Sequence, residues 1–230
     1  MSGATVSRQA DPAPNRLWER VGRQLRHPTG FGGRVAGALM ARVNAVPNRA
    51  AIDFLEVAPD DDVLEIGFGP GEGVARLAEL APMGRVCGID ASHEMFAAAA
   101  RRNRAAIARR HVRLVEGDFR ALPWRAGAFS KVLAVNVAYF FGDDARELSE
   151  IHRVLRPGGG VAIYATSAAT MRRWPFAGGE THRHLDEMTL RSMLSRGGFA
   201  SADIEINQVR LAMGVSGLVA RAKRGVSPTS

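Results

Sequence analysis

The chain of 230 residues contains a single cysteine, Cys87. One thiol excludes an internal disulfide and a multi-cysteine metal site, and it fits a reducing cytoplasm. Cys87 sits in an apolar stretch and is expected to be an inert core residue. Lysine is almost missing as well, with only Lys131 and Lys223, so the formal net charge of +8 rests on arginine. Such a charge raises the question of nucleic acid. The arginines are scattered, apart from Arg101, Arg102, Arg104, Arg109 and Arg110, which fall on a predicted helix as its solvated face. No basic strand is interleaved with aromatics, so nucleic acid is not the expected partner. No apolar run is long enough to span a membrane, and residues 1–15 show no signal-peptide pattern. Internal repeats are absent.

What is present is a hydrophobic fraction of 46%, enough for one packed domain with appendages. Residues 1–15 and 225–230 are Ser-, Pro- or Gly-rich and are expected to be disordered. Residues 16–57 read as an N-terminal helical cap, with short helices over 34–44 and 47–57. Residues 58–224 form the main domain, in which 166–186 is a candidate lid loop. Its pattern is strands over 63–66, 85–89, 112–115, 129–137 and 161–165, alternating with helices. A helix over 95–108 follows the N-cap Ser92, and another runs over 143–155 until Pro157 and three glycines. A helix over 187–195 and two closing strands, 204–211 and 215–222, complete the chain. Alternation of this kind predicts an α/β fold with a doubly wound, mostly parallel, seven-stranded sheet and helices on both faces.

The stretch that organises the chain is Val63-Leu-Glu-Ile-Gly-Phe-Gly-Pro-Gly-Glu-Gly73. An apolar strand runs into closely spaced glycines and then into a helical pattern. Glycine allows φ > 0 and lets a ligand approach the backbone, while the helix start offers free N–H groups. The dinucleotide fingerprint G-x-G-x-x-G fails here, because its last glycine would fall on Glu72. No Gly-Lys-Ser/Thr follows either, so a phosphate loop is excluded. Glu65 and Glu72 would repel a pyrophosphate and suit a positively charged ligand.

This stretch resembles the first motif of class I S-adenosylmethionine-dependent methyltransferases, E/D-x-G-x-G-x-G. The resemblance implies a Rossmann-like methyltransferase fold and S-adenosyl-L-methionine as cofactor, with S-adenosyl-L-homocysteine as product. It places the cofactor against Glu65, Gly67, Phe68, Gly69 and Gly71. Asp90 ends the second strand, 23 residues after Gly67, where a carboxylate can accept from ribose hydroxyls; Ala91 follows it. Gly117, Asp118 and Phe119 follow the third strand. In the family an acid there accepts from the adenine amino group, and Phe119 could pack on the ring. Asn136 interrupts the apolar end of the fourth strand and can orient cofactor or acceptor. Its context, Asn136-Val137-Ala138-Tyr139, departs from the Asn/Asp-Pro-Pro-aromatic motif of enzymes that methylate base amino groups.

The segment Arg153-Val-Leu-Arg-Pro-Gly-Gly159 resembles a structural helix stop of small-molecule members, and Leu194 to Phe199 resembles the turn before their C-terminal hairpin. The expected activity is methyl transfer to a small-molecule acceptor, aromatic or lipid-like. General-base candidates are Tyr139, His182 and His184. The two histidines lie two apart with no further ligand pattern, so no metal is expected. A nucleotide-linked oxidoreductase, an RNA methyltransferase and a noncatalytic cofactor-binding protein are the rival readings. Trp174 and Phe176, with the histidines, are expected to line an acceptor pocket.

Overall fold

The computed structural model describes residues 45–173, 183–211 and 214–226. In chain order these form helix α1 over 45–55, β1 Val63–Ile66, α2 Glu72–Leu80, β2 Val86–Asp90, α3 His93–Arg102, α4 Arg104–Ala108, β3 Val112–Glu116 and β4 Phe129–Val135. Then follow α5 Arg146–Val154, β5 Leu155–Thr166, α6 Ala168–Met171, α7 Glu187–Arg196, β6 Ile204–Arg210 and β7 Ser216–Lys223. The seven strands make one sheet in the order β3-β2-β1-β4-β5-β7-β6. β1 to β5 are parallel, and β7 runs antiparallel between β5 and β6. The chain steps outward from β1 through β2 and β3, then restarts on the other side with β4. That reversal opens a crevice at the carboxyl ends of β1 and β4, where ligands bind in such sheets.

Period-2 alternation sorts the strand side chains onto two cores. On one face Leu64, Ile66, Val132, Ala134 and Ile163 pack with Leu148, Ile151 and Val154 of α5 and Leu190 and Leu194 of α7. On the other, Val63, Leu133, Ala162 and Tyr164 pack with Ala51, Ile52 and Leu55 of α1 and Val74 and Leu77 of α2. Each fully buried aliphatic side chain contributes about 1.5–3 kcal/mol of transfer free energy. No helix among the described residues is long and apolar enough to cross a membrane. Residues 1–44 and 227–230 lie outside the described residues. So do the whole 1–15 stretch and most of the 16–57 cap.

Several element boundaries depart from the sequence expectation, each for a local reason. The helix expected over 95–108 is two helices, broken at Asn103. The buried Asn103 amide donates to the carbonyls of Gly71 and Ala99, both at 3.0 Å. Tying the helix to the glycine turn therefore outweighs the strong propensity of its alanines. β4 stops at Val135 because Asn136 turns into the left-handed region, φ 54°. α5 starts at Arg146 rather than 143. Ala145 before it is left-handed, and Glu147 Oε2 takes the Gly142 N–H at 3.1 Å. β5 begins at Leu155 rather than Val161. Phe129 pairs with Leu155 and Lys131 with Gly160, so Pro157 and the glycines form an irregularity at the strand's entry.

The two helices on one face meet with little clearance. A Cβ on Gly197 would lie 2.4 Å from Leu148 Cβ. Gly197→Ala should lower stability by roughly 1–3 kcal/mol, the usual cost of overpacking, read as a lower urea midpoint. An unchanged midpoint would show that α5 and α7 are not seated this closely.

Candidate active site

β1 is only four residues long and every one is buried. The chain leaves it in a turn where Gly67, Gly69 and Gly71 all have positive φ, at 67°, 52° and 82°. A branched residue resists that region strongly. Packing adds a second constraint at two of the positions. A Cβ on Gly67 would stand 2.8 Å from Val137 Cγ2, and one on Gly71 would stand 2.7 Å from Ala99 Cβ. Gly69 differs, because nothing lies within 4 Å of where its Cβ would be. The turn is thus pressed against protein on two sides and open at its tip.

Asp90 holds that tip. It is 9% exposed; its Oδ2 accepts from Gly69 N and its Oδ1 from Ser92 N, both at 2.9 Å. Ser92 in turn caps α3, accepting from Met95 N. One carboxylate therefore joins the turn to the start of the next helix while remaining at the mouth of the crevice. Ala91 beside it is exposed. Gly117 N donates to Asp90 O at 2.9 Å, which brings the loop after β3 alongside. In that loop Asp118 is exposed and its Oδ1 accepts from Arg120 N at 3.0 Å. Phe119 is half-buried against the core. The Phe68 ring is 3% exposed and turns into the opposite core, so close to Gly88 that a Cβ there would be 2.7 Å from Phe68 Cδ1. What Phe68 presents to the turn is its backbone, whose carbonyl accepts from Gly71 N at 3.0 Å.

The two carboxylates at the turn have different surroundings. Glu72 pairs with Arg102 at 3.2 Å. Glu65 is 2% exposed, and among the described residues its Oε2 has no hydrogen-bond partner. Burial, and then the nearby Asp90, push the Glu65 carboxyl up to about 8.

Across the crevice, Asn136 Oδ1 accepts from the Tyr139 hydroxyl at 2.6 Å and from Thr166 N at 3.3 Å. The Tyr139 oxygen also accepts from Thr166 N. This cluster ties the end of β4 to the end of β5. Tyr139 is buried, and burial raises its phenol well above the ordinary range, so it stays protonated at neutral pH. Arg183 N donates to Tyr139 O at 3.4 Å, which brings the segment leading to α7, with the half-buried His184, beside the cluster. His182, Trp174 and Phe176 lie outside the described residues. A groove of about 410 Å³ next to Arg183 is lined by Asp143, Met188, Thr189, Ser192, Met193 and Arg196. Its lining mixes charge with methionine.

Sequence reasoning missed two polar residues that shape the site. Asn103 carried a signal, a lone amide in an alanine-rich helix. Glu147 carried none, since an acid in a helix's first turn is ordinary; only the tertiary contact with Gly142 and its 3.4 Å pairing with Arg120 give it a role.

A buried parallel strand ending in an open glycine turn, with an acid at the end of the next strand, is the cofactor end of a Rossmann-like methyltransferase fold. Comparison with known proteins gives the family. A family model described as a methyltransferase domain matches residues 63–159. The uncharacterized methyltransferase YdaC of Bacillus subtilis is 34% identical over 129 residues, covering 56% of this chain and 69% of that protein. The demethylmenaquinone methyltransferase of Thermus thermophilus is 37% identical over 116 residues, 50% of this chain and 51% of its own. Among solved structures, a complex of the Haloferax volcanii Trm112 methyltransferase activator with a putative methyltransferase superposes with a TM-score of 0.71 at 18% identity, covering 90% of this chain and 97% of that one. The chain belongs to the class I S-adenosylmethionine-dependent methyltransferase family, and S-adenosylmethionine is the cofactor that goes with it. It spans about two thirds of YdaC and about half of the quinone-modifying relative.

Asp90→Ala should weaken S-adenosylmethionine binding by about 1.5–3 kcal/mol, the range for a hydrogen bond to a charged group. It also removes the acceptor of two backbone N–H groups, so a loss of thermal stability should accompany it. Calorimetry showing full affinity would remove Asp90 from the cofactor site.

Proposed function

We propose that this chain transfers a methyl group from S-adenosylmethionine to a small-molecule acceptor, aromatic or lipid-like. The observation that carries the cofactor half is the turn, open at Gly69 and held there by Asp90. The cofactor fits the residues present. The turn leaves the space that a side chain would fill, and Asp90 stands at the mouth with lone pairs for ribose hydroxyls. Asp118 would accept from the adenine amino group, and Gly117 and Phe119 would flank the ring.

The bound cofactor supplies an electrophilic methyl on a positively charged sulfur. The protein's part is to hold the acceptor nucleophile in line with that methyl and to keep water out. The Asn136–Tyr139–Thr166 cluster fixes the wall between the ends of β4 and β5, against which an acceptor would rest. Tyr139 serves in this reading as a positioning group: its hydroxyl is protonated and held by two neighbours. His184, and His182 outside the described residues, keep the role of base candidates for an acceptor that must lose a proton. The residues of the 16–57 segment would close the cofactor end, and the 166–186 connection would act as the lid.

The acceptor class rests on the relative that modifies demethylmenaquinone, an aromatic ring on a lipid tail, and on the tryptophan and phenylalanine of the 166–186 connection. The single thiol, with its pKa raised chiefly by burial, suits a reducing cytoplasm. The oxidoreductase reading is opposed by Glu72, which stands where the dinucleotide fingerprint needs glycine.

Two measurements test the proposal. Titration calorimetry should show binding of S-adenosylmethionine and none of NADH. A panel of quinols, phenols and lipid-tailed acceptors, scored by S-adenosylhomocysteine release, should give turnover with at least one aromatic member. NADH binding without S-adenosylmethionine binding would overturn the cofactor reading. Turnover confined to RNA or to non-aromatic acids would overturn the acceptor class.

A further inference from the structure

Glu65 occupies a position where an acid is costly. It shares its strand face with Val63, and that face packs against Val74 and Leu77 of α2. An ionised carboxylate buried among such neighbours without a partner is disfavoured by several kcal/mol. Among the described residues Glu65 Oε2 has no hydrogen-bond partner. Its other oxygen lies against the first turn of α2, where a Cβ on Gly73 would come within 2.2 Å of Oε1. The carboxyl thus sits directly behind the glycine turn, between the sheet and the start of the nine-residue helix α2. A glutamine or an aliphatic residue would stabilise this place better, so the acid calls for a reason beyond the fold.

We propose that Glu65 is protonated in the unliganded protein and releases its proton when a cationic cofactor fills the turn, which makes it a determinant of selectivity for a charged over a neutral ligand. The proposal rests on the reading that S-adenosylmethionine occupies the Gly67–Gly71 turn.

The charged group that acts on Glu65 supports the neutral state. From β2 comes Asp90, which is negative and disfavours a second charge. At the start of α2, Glu72 is paired with Arg102 of α3. On β4 the residue in register with Glu65 is the uncharged Leu133, and Lys131, opposite Val63, donates to the Leu55 carbonyl at 3.0 Å. The carboxyl value near 8 leaves the group mostly protonated at neutral pH. A ligand cation changes the balance, since an opposite charge nearby favours the ionised form. The N-terminus of α2, with its partial positive charge, favours it in the same direction. The step is an acid dissociation: the Glu65 O–H bond breaks, the electron pair stays on the carboxylate, and the proton passes to the buffer. After methyl transfer the product sulfur is neutral, so the ligand carries one positive charge fewer and the proton has cause to return.

The sign of the pH dependence follows. Binding that releases a proton strengthens as pH rises, up to the unliganded value near 8. The protonated, unliganded protein has its full stability below the unfolded value of 4.5 and loses it as pH rises through about 8. Cofactor should therefore raise the melting temperature more at about pH 8 than at about pH 6.

The test is calorimetry of wild type and Glu65→Gln with S-adenosylmethionine at about pH 7, in phosphate and in Tris, whose ionisation enthalpies differ. Wild type should release about one proton, with affinity rising about tenfold per pH unit between roughly pH 6 and 7. Glu65→Gln should bind with no buffer dependence and a flat pH profile, and S-adenosylhomocysteine should release less than S-adenosylmethionine. Should Glu65→Gln fail to fold, carboxyl-carbon NMR of labelled wild type decides, with a Glu65 midpoint near 8 expected in the unliganded protein. A midpoint below about 5, the ordinary glutamate range, overturns the inference. So does tight cofactor binding with no proton release, which leaves the turn reading standing. Failure of wild type to bind S-adenosylmethionine overturns both.

Discussion

The constraint on which this structure depends is the close approach of three elements at the end of β1. The backbone there runs between Val137 on one side and Ala99 with Asn103 on the other, and α2 begins against the Glu65 carboxyl. There is no room for a side chain at Gly67, Gly71 or Gly73, and each contact fixes the position of a different element. Val137 belongs to the segment after β4, Ala99 to α3 and Glu65 to β1. The turn is therefore the point at which the two halves of the sheet and the first helices agree on their spacing. Only Gly69 is left facing open space, and that opening is the consequence of everything around it being full.

Polar groups complete what the glycines begin. Asp90 ties the tip of the turn to the α3 cap, Asn103 ties its far side to the end of the same helix, and Arg102 reaches the Pro70 carbonyl at 3.1 Å. Buried donors and acceptors left unmatched are expensive, so such a net holds the loop in one conformation before a ligand arrives. On the acceptor side the Asn136–Tyr139–Thr166 cluster does the equivalent for β4 and β5. Among the described residues Glu65, Trp124 and Tyr164 each keep a buried polar atom outside such pairing, and Glu65 is the one that stands behind the turn.

Much of the architecture could be read along the chain. Short apolar runs alternating with helical periodicity predict a parallel sheet, because buried parallel strands need apolar side chains on both faces. Element ends were less legible. Asn103 interrupts a run whose propensity is helical throughout, and the reason is a carbonyl 32 residues away in sequence. The entry of β5 through Pro157 and three glycines looks like a helix stop followed by a loop. Pairing with Phe129 and Lys131 makes it strand instead.

By itself the sequence determined the order of elements, the glycine turn and the acids at the strand ends. These depend on local periodicity, on backbone freedom and on spacing along the chain, all of which are one-dimensional properties. Which glycine faces open space, which acid is sealed from solvent and which phenol is held protonated were decided only by the tertiary structure. Glu65 and Glu72 are the same side chain seven residues apart. One meets Arg102 near the surface and the other is sealed against Gly73 between a helix and a sheet. Ionisation depends on solvent and on neighbouring charge, and both are set by residues that the chain brings together only when it folds.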